Sequence, residues 1–159
     1  MNLSQVLNDS LNNQIVHEYR NMLIYKQIES YFQNLQLKHI AAYFSKQANE
    51  EKGHGDKIVN YLNARTGGNV IIGNIPAPMS LVGYDPETIG TLYVATEEET
   101  TKNLEEIYGL AIESMSFLDL GFLEEMLNEQ VEEEDSANEF SMNLAMAKNT
   151  LVLFDKSLE

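Results

Sequence analysis

The sequence predicts an all-α fold: a four-helix bundle with one long crossover and a short fifth helix at the C-terminus. Three observations carry this. Four stretches of about 28 residues place apolar side chains at steps of three, four or seven, the period of one helix face. The joints inside the first and second halves are short, while a long irregular segment separates the halves. In the middle of every apolar stripe a polar side chain takes the place of an apolar one.

The first helix is expected from about Ser4 to Gln33, on the stripe Leu7, Leu11, Ile15, Met22, Tyr25, Phe32, with Glu18 inside it. Asn34-Leu35-Gln36 allows only a tight turn, so the second helix lies antiparallel beside the first. That helix runs from about Leu37 to Arg65, on Ile40, Phe44, Ala48, Ile58 and Leu62, and Glu51 interrupts it. Gly53 and Gly55 flank His54 in this helix; each costs about 1 kcal/mol relative to alanine, which close packing beside a site would explain. Thr66-Gly67-Gly68 is a stop signal.

From Asn69 to Asp85 no helical period survives, and Pro76, Pro78 and Gly83 mark irregular chain, with Val70-Ile71-Ile72 a candidate extended piece. A loop this long can cross the length of a bundle, which makes the second and third helices parallel. Asp85-Pro86-Glu87 opens the third helix with a capping residue, a proline at the first position and an acidic residue. Its stripe is Ile89, Tyr93, Thr100, Leu104, Ile107, Ala111, with Glu97 inside. Ser116-x-x-Asp119 resembles a capping box and opens the fourth helix, whose stripe Leu123, Leu127, Ala137, Phe140, Leu144 carries Gln130 and Glu133. A short segment from Asn149 is too small to stand alone and must pack on the bundle or on a neighbouring subunit. The chain thus reads as a single domain over 1–159, with the bundle at about 4–147 and the last helix at about 149–159.

Composition narrows the function. There is no cysteine, which removes disulfides, thiolate metal sites and thiol catalysis. The formal net charge of -15 repels nucleic acid and anionic membrane and attracts cations. No stretch approaches the roughly 18 apolar residues of a membrane span, and Met1-Asn2-Leu3-Ser4-Gln5 is not a leader, so a cytoplasmic protein is expected.

The polar interruptions follow a rule. Glu18 precedes Glu51 by 33 residues and His54 by 36; Glu97 precedes Gln130 and Glu133 by the same distances, so one spacing is used twice with an offset of 79. On helices, Glu51 and His54 stand one turn apart on one face, as do Gln130 and Glu133. Taken alone, Glu97-Glu98-Glu99 or Glu132-Glu133-Glu134 reads as a solvated acidic face, and Tyr25 reads as core. The repeated spacing on four apolar stripes decides otherwise. Buried carboxylates need counter-charge, and four of them with one imidazole suit two divalent ions, with Glu51 placed to bridge. Carboxylate with imidazole suits iron or manganese. Tyr25, two turns after Glu18, could hydrogen-bond a ligand or donate an electron. His17 and His39 read as non-ligands.

With these residues in place the chain resembles the non-haem bacterial ferritins. The likeness rests on Leu11-Asn12-x-Gln14, Glu50-Glu51-x-x-His54, Ile75-Pro76-Ala77-Pro78, Glu129-Gln130-x-Glu132-Glu133-Glu134 and Leu153-Phe154-Asp155-Lys156. The resemblance implies a ferritin-like five-helix subunit in a hollow homo-oligomeric shell of 24 copies, oxidising Fe(II) with O2 and storing ferric mineral. Carried over, one iron is held by Glu18, Glu51 and His54, and the second by Glu51, Glu97 and Glu133. Gln130 hydrogen-bonds nearby and Tyr25 stands behind the ligands. A third iron position corresponds to Glu50, Glu129 and Glu132, sharing Glu133.

Haem is not expected, because Lys52 stands where the haem-binding relatives have methionine and Gln130 where they have a second histidine. Glu125 replaces a tryptophan found in many bacterial ferritins, and the segment between Glu134 and Asp155 is about three residues short of the family pattern. Two other functions share much of this pattern: a ferritin-like di-iron peroxidase or oxidase that stores no mineral, and a metal-free helical-bundle interaction protein. Native mass separates the first from a storage shell, and metal content separates the second.

Overall fold

The computed structural model describes residues 2–159. Helices α1 (Gln5–Asn34), α2 (Lys38–Ala64), α3 (Pro86–Glu113) and α4 (Phe117–Met146) form the bundle, and α5 (Leu151–Ser157) closes the chain. Every expected helix is present, with ends within a residue or two of the sequence reading.

The ends are fixed by local chemistry. Ser4 accepts a hydrogen bond from the Leu7 amide at 3.3 Å, and Asp85 accepts one from Thr88 at 2.8 Å ahead of Pro86. Gln36 (φ 60°) and Met115 (φ 53°) adopt the left-handed conformation that lets the chain reverse between paired helices. The expected capping box of α4 does not form. Ser116 makes no side-chain cap, and the fully buried Asp119 instead takes the Tyr61 hydroxyl and the Arg65 Nε (2.6 Å) from the end of α2. A tertiary ion pair has outcompeted the local motif.

The crossover runs along α1. Asn69 donates its amide to Asn8 Oδ1 at 2.8 Å, Ile71 donates to Asn12 Oδ1 at 2.6 Å, and the Asn12 Nδ2 returns a bond to Asn69 O. At the far end Gln27 donates to the Met79 carbonyl and the Tyr31 hydroxyl to that of Tyr84. The chain is thereby carried from the start of α1 to its end, so α3 begins beside the start of α2 and runs parallel to it. Val70–Ile72 is irregular backbone, not a strand.

Helix α5 is tied to the bundle by one carboxylate. Leu37 supplies no side-chain cap to α2; Asp155 Oδ1 accepts the backbone N–H groups of His39 and Ile40, both at 2.8 Å. Phe154 packs on Phe140 at 5.4 Å between ring centroids.

The core is divided in two. One apolar cluster gathers Ile28, Phe32, Phe44, Tyr93 and Phe140 at the end where α1 finishes; the other gathers Leu7, Leu11, Leu62, Leu104 and Leu123 at the opposite end. The polar interruptions lie between them. Helices α1 and α3 approach closely, whereas α2 and α4 nowhere bring Cα atoms within 8 Å, which leaves a cleft on that side. Among the described residues no helix is long and apolar enough to cross a membrane.

Candidate metal centre

The four stripes converge as the spacing requires. Single ligand atoms of Glu18, Glu51 and His54 lie within 4.8 Å of one another, and so do those of Glu51, Glu97 and Glu133. Glu51 belongs to both groups. Glu18, Glu51, Glu97 and Gln130 are each no more than 2% exposed. His54 Nε2 stands 3.3 Å from Glu133 Oε1, and its Nδ1 stands 3.9 Å from Glu51 Oε1.

Surrounding side chains hold the carboxylates in place. Gln14 Nε2 donates to Glu18 Oε1 at 2.7 Å, and Gln130 Nε2 donates to Glu97 Oε2 at 2.8 Å. The fully buried Tyr25 hydroxyl donates to Glu97. Gln14 was visible in the sequence only as part of a family motif; its signal is an amide on an otherwise buried face. The same signal marks Asn12 and Asn8, which hold the crossover.

Two carboxylate oxygens, Glu18 Oε2 and Glu51 Oε2, are buried with no hydrogen-bond partner among the described residues. An unsatisfied buried carboxylate costs several kcal/mol unless a proton or cation meets it. Without a cation, burial favours the protonated carboxyls. Burial raises the Glu18 carboxyl to about 7, against the pull of Gln14. Burial, then the charges of Glu18, Glu97 and Glu133, hold Glu51 well above the carboxylate range. Burial raises Glu97, and burial with the charges of Glu97 and Glu18 takes Glu133 to about 9. Burial lowers His54, which favours the neutral imidazole that a metal needs. Four carboxylates, one imidazole and two orphaned oxygens fit a pair of divalent cations with oxygen-rich coordination.

The sequence-derived residues outside this set fall into two classes. Glu50, Glu129 and Glu132 line the α2/α4 cleft with Glu133 and His54, a cavity of about 280 Å³, but none belongs to a compact ligand group. His17 is buried away from the centre, bonded to Thr100 at 2.9 Å, and burial lowers it to about 4. The two glycines divide as well. A Cβ on Gly55 would stand 2.5 Å from the Tyr19 ring, so close packing explains it, whereas one on Gly53 would meet nothing within 4 Å.

Comparison with known proteins agrees with this geometry. The family model of the ferritin-like domain matches residues 8–147. A bacterial non-heme ferritin of Staphylococcus haemolyticus is 31% identical, over 98% of this chain and 95% of that protein. One from Staphylococcus aureus is 30% identical over the same shares. Among solved structures, the open pore ferritin of the archaeon Archaeoglobus fulgidus superposes with a TM-score of 0.92 at 28% identity, covering 98% of this chain and 97% of that one. The chain therefore belongs to the ferritin-like family, as a non-haem ferritin of the bacterial type.

Proposed function

We propose that the protein stores iron as a ferroxidase: it oxidises Fe(II) with O2 inside each subunit and passes ferric product to a mineral core enclosed by 24 copies. The observation that carries this reading is the pair of three-ligand groups sharing Glu51, buried and bearing two oxygens without partners. Family membership supports iron storage in general, and the donor chemistry supports the oxidation.

Iron is the substrate here. Glu18, Glu51 and His54 would hold one Fe(II), and Glu51, Glu97 and Glu133 the other. Four carboxylates balance two divalent charges, so loading exchanges bound protons for metal. Each Fe(II) gives up one electron, and the two electrons with two protons take O2 to hydrogen peroxide. Gln130 and Tyr25 keep Glu97 oriented, and burial with the charge of Glu97 holds the Tyr25 hydroxyl protonated, as a fixed donor to that carboxylate. The nearby apolar clusters keep bulk water from both ends of the centre.

The test is rapid mixing of Fe(II) with oxygenated apoprotein. Fast oxidation saturating at two Fe(II) per subunit is expected, and Glu51→Ala should abolish the fast phase while the native mass stays that of the shell. Wild-type initial rates in that variant would sink the assignment, and small oligomers alone would favour a di-iron peroxidase.

A further inference from the structure

The four long helices form two hairpins, α1 with α2 and α3 with α4. The hairpins meet closely along one seam: α1 and α3 are the only long helices from opposite halves with Cα atoms within 8 Å of each other. The two ligand groups sit differently against this seam. Glu18, Glu51 and His54 all belong to the first hairpin, whereas Glu51 is joined by Glu97 and Glu133 from the other, so only the second group straddles it. The seam holds a buried polar cluster for which the proposed chemistry has no use. Asn21, one turn after Glu18, donates Nδ2 to Thr100 Oγ1 at 3.0 Å, and Thr100 stands one turn after Glu97. This pair repeats the offset of 79 that relates Glu18 to Glu97. His17 Nε2 lies 2.9 Å from the same hydroxyl, and Asn103 Nδ2 lies 3.3 Å from His17 Nδ1. An amide nitrogen only donates, so Nδ1 accepts and Nε2 carries the hydrogen that points at Thr100. The two donors, Asn21 Nδ2 and His17 Nε2, stand 3.2 Å apart because they share one acceptor. The Thr100 hydroxyl gives its own hydrogen to Thr96 O at 3.1 Å. Arg20 and Glu99, again 79 apart, add an exposed ion pair at 3.0 Å.

We propose that His17, Asn21 and Thr100 are positioning residues: a clasp across the seam that fixes how far Glu97 stands from Glu18 and Glu51, and so sets the second metal position alone. This rests on the two-metal reading of the centre. Uniformly tight packing does not account for the clasp. Towards the start of α1 the same seam opens into a cavity of about 250 Å³ lined by Ser10, Asn13, Glu106 and Leu110. Stability does not account for it either. Apolar side chains of similar shape would fill the space at no polar cost, yet the fold buries Asn21 Oδ1 with no partner among the described residues. What the polar set supplies is a defined geometry. A hydroxyl with all three hydrogen-bonding positions in use holds its partners within narrow limits of distance and angle, where apolar contacts tolerate sliding. The first ligand group keeps its geometry whatever the seam does, because one hairpin carries it whole. The second does not. The Tyr25 hydroxyl also crosses the seam, but it fixes the Glu97 carboxylate, whereas the clasp fixes the helix that carries it.

The test titrates Mn(II) into the assembled apoprotein without oxygen and follows it by electron paramagnetic resonance. Mn(II) takes the same oxygen and imidazole donors. An isolated ion gives a sharp hyperfine pattern and a bridged pair an exchange-coupled one, so the spectrum counts the second ion and reports its separation from the first. In the parent the coupled signal should replace the isolated one as the second equivalent is added. Thr100→Val keeps the side-chain shape and removes the shared acceptor. There the isolated signal should persist, with the second ion bound roughly threefold to tenfold more weakly and the first unchanged. Thr100→Ser keeps the hydroxyl and should titrate as the parent does. Asn21→Leu breaks the same bond from α1 and should shift the second ion in the same direction; it carries the decision if native mass shows that Thr100→Val does not assemble. A merely structural role would lower the melting temperature and weaken both ions alike. Equal weakening of both ions, parent-like pairing in the assembled variants, or a Thr100→Ser defect as large as that of valine would overturn the clasp. A parent that never shows a coupled pair would overturn the two-metal reading itself, and the clasp with it.

Discussion

Replacing Glu133 by glutamine should make the cation-free protein more stable while impairing its ability to hold a second metal. In the folded cation-free site burial, with the charges of Glu97 and Glu18, raises Glu133 from 4.5 to about 9. The folded state therefore binds a proton that the unfolded chain releases, and stability falls as pH rises. The loss begins above about 4.5, grows with each unit, and is complete once pH passes about 9. With the folded value above 7, the cost at pH 7 is set by the two and a half units between the unfolded value of 4.5 and that pH, which at about 1.4 kcal/mol per unit is about 3 kcal/mol. Glutamine keeps the shape without the charge. For a chain of this length that is an upper bound of about 6–12 °C in melting temperature, and a buried amide with incomplete partners returns part of it. A rise of about 5 °C at pH 7 in chelator is expected, shrinking towards zero near pH 5. With Zn(II) present the order should invert, because the parent gains binding energy that the variant cannot. A variant less stable than the parent in chelator at pH 7, or a gain that does not change with pH, would refute the reasoning.

The remaining expectations use other contacts. Gly53→Ala should stabilise the subunit by about 1 kcal/mol through helix propensity, since its Cβ meets nothing, whereas Gly55→Ala should destabilise it by about 1–3 kcal/mol by displacing the Tyr19 ring; paired denaturation curves check both. Asp155→Ala removes the acceptor of two α2 amides and should cost about 1–2 kcal/mol, with native mass spectrometry showing weakened assembly as α5 detaches. Tyr25→Phe should leave Zn(II) stoichiometry unchanged yet slow iron oxidation in stopped-flow, because Glu97 loses the hydroxyl that orients it.

What was legible in the sequence is what has a period. The stripes place Glu18, Glu51, Glu97 and Gln130 in the interior because a helix repeats every 3.6 residues, and burial at no more than 2% follows from that arithmetic. The crossover was legible because proline and glycine break the period. What was not legible depends on partners far along the chain. Asp119 looks like half of a capping box until Tyr61 and Arg65 arrive from α2. Asp155 lies 116 residues from the amide it caps, and Lys57 lies 72 residues from Glu129, so nothing local announces either pairing. Gly53 and Gly55 look alike in the sequence; only the neighbouring Tyr19 ring separates them.

The broken repeat explains why the two candidate ligand groups differ. With an offset of 79, Glu51 corresponds to Gln130 and His54 to Glu133. The second half has thus moved its carboxylate one turn along α4 and put an amide in the bridging position. The number of carboxylates stays at four, so the charge still matches two divalent ions, but only Glu51 can bridge. The first position keeps an imidazole and a Glu18 fixed by Gln14. The second is all carboxylate, adjoins the Tyr25 hydroxyl through Glu97, and meets the open α2/α4 cleft through Glu133. An oxygen-only ligand set is the harder of the two and suits the ferric state better. On the proposed function, oxidised iron would therefore leave from the Glu133 side, where the second ligand group faces the α2/α4 cleft.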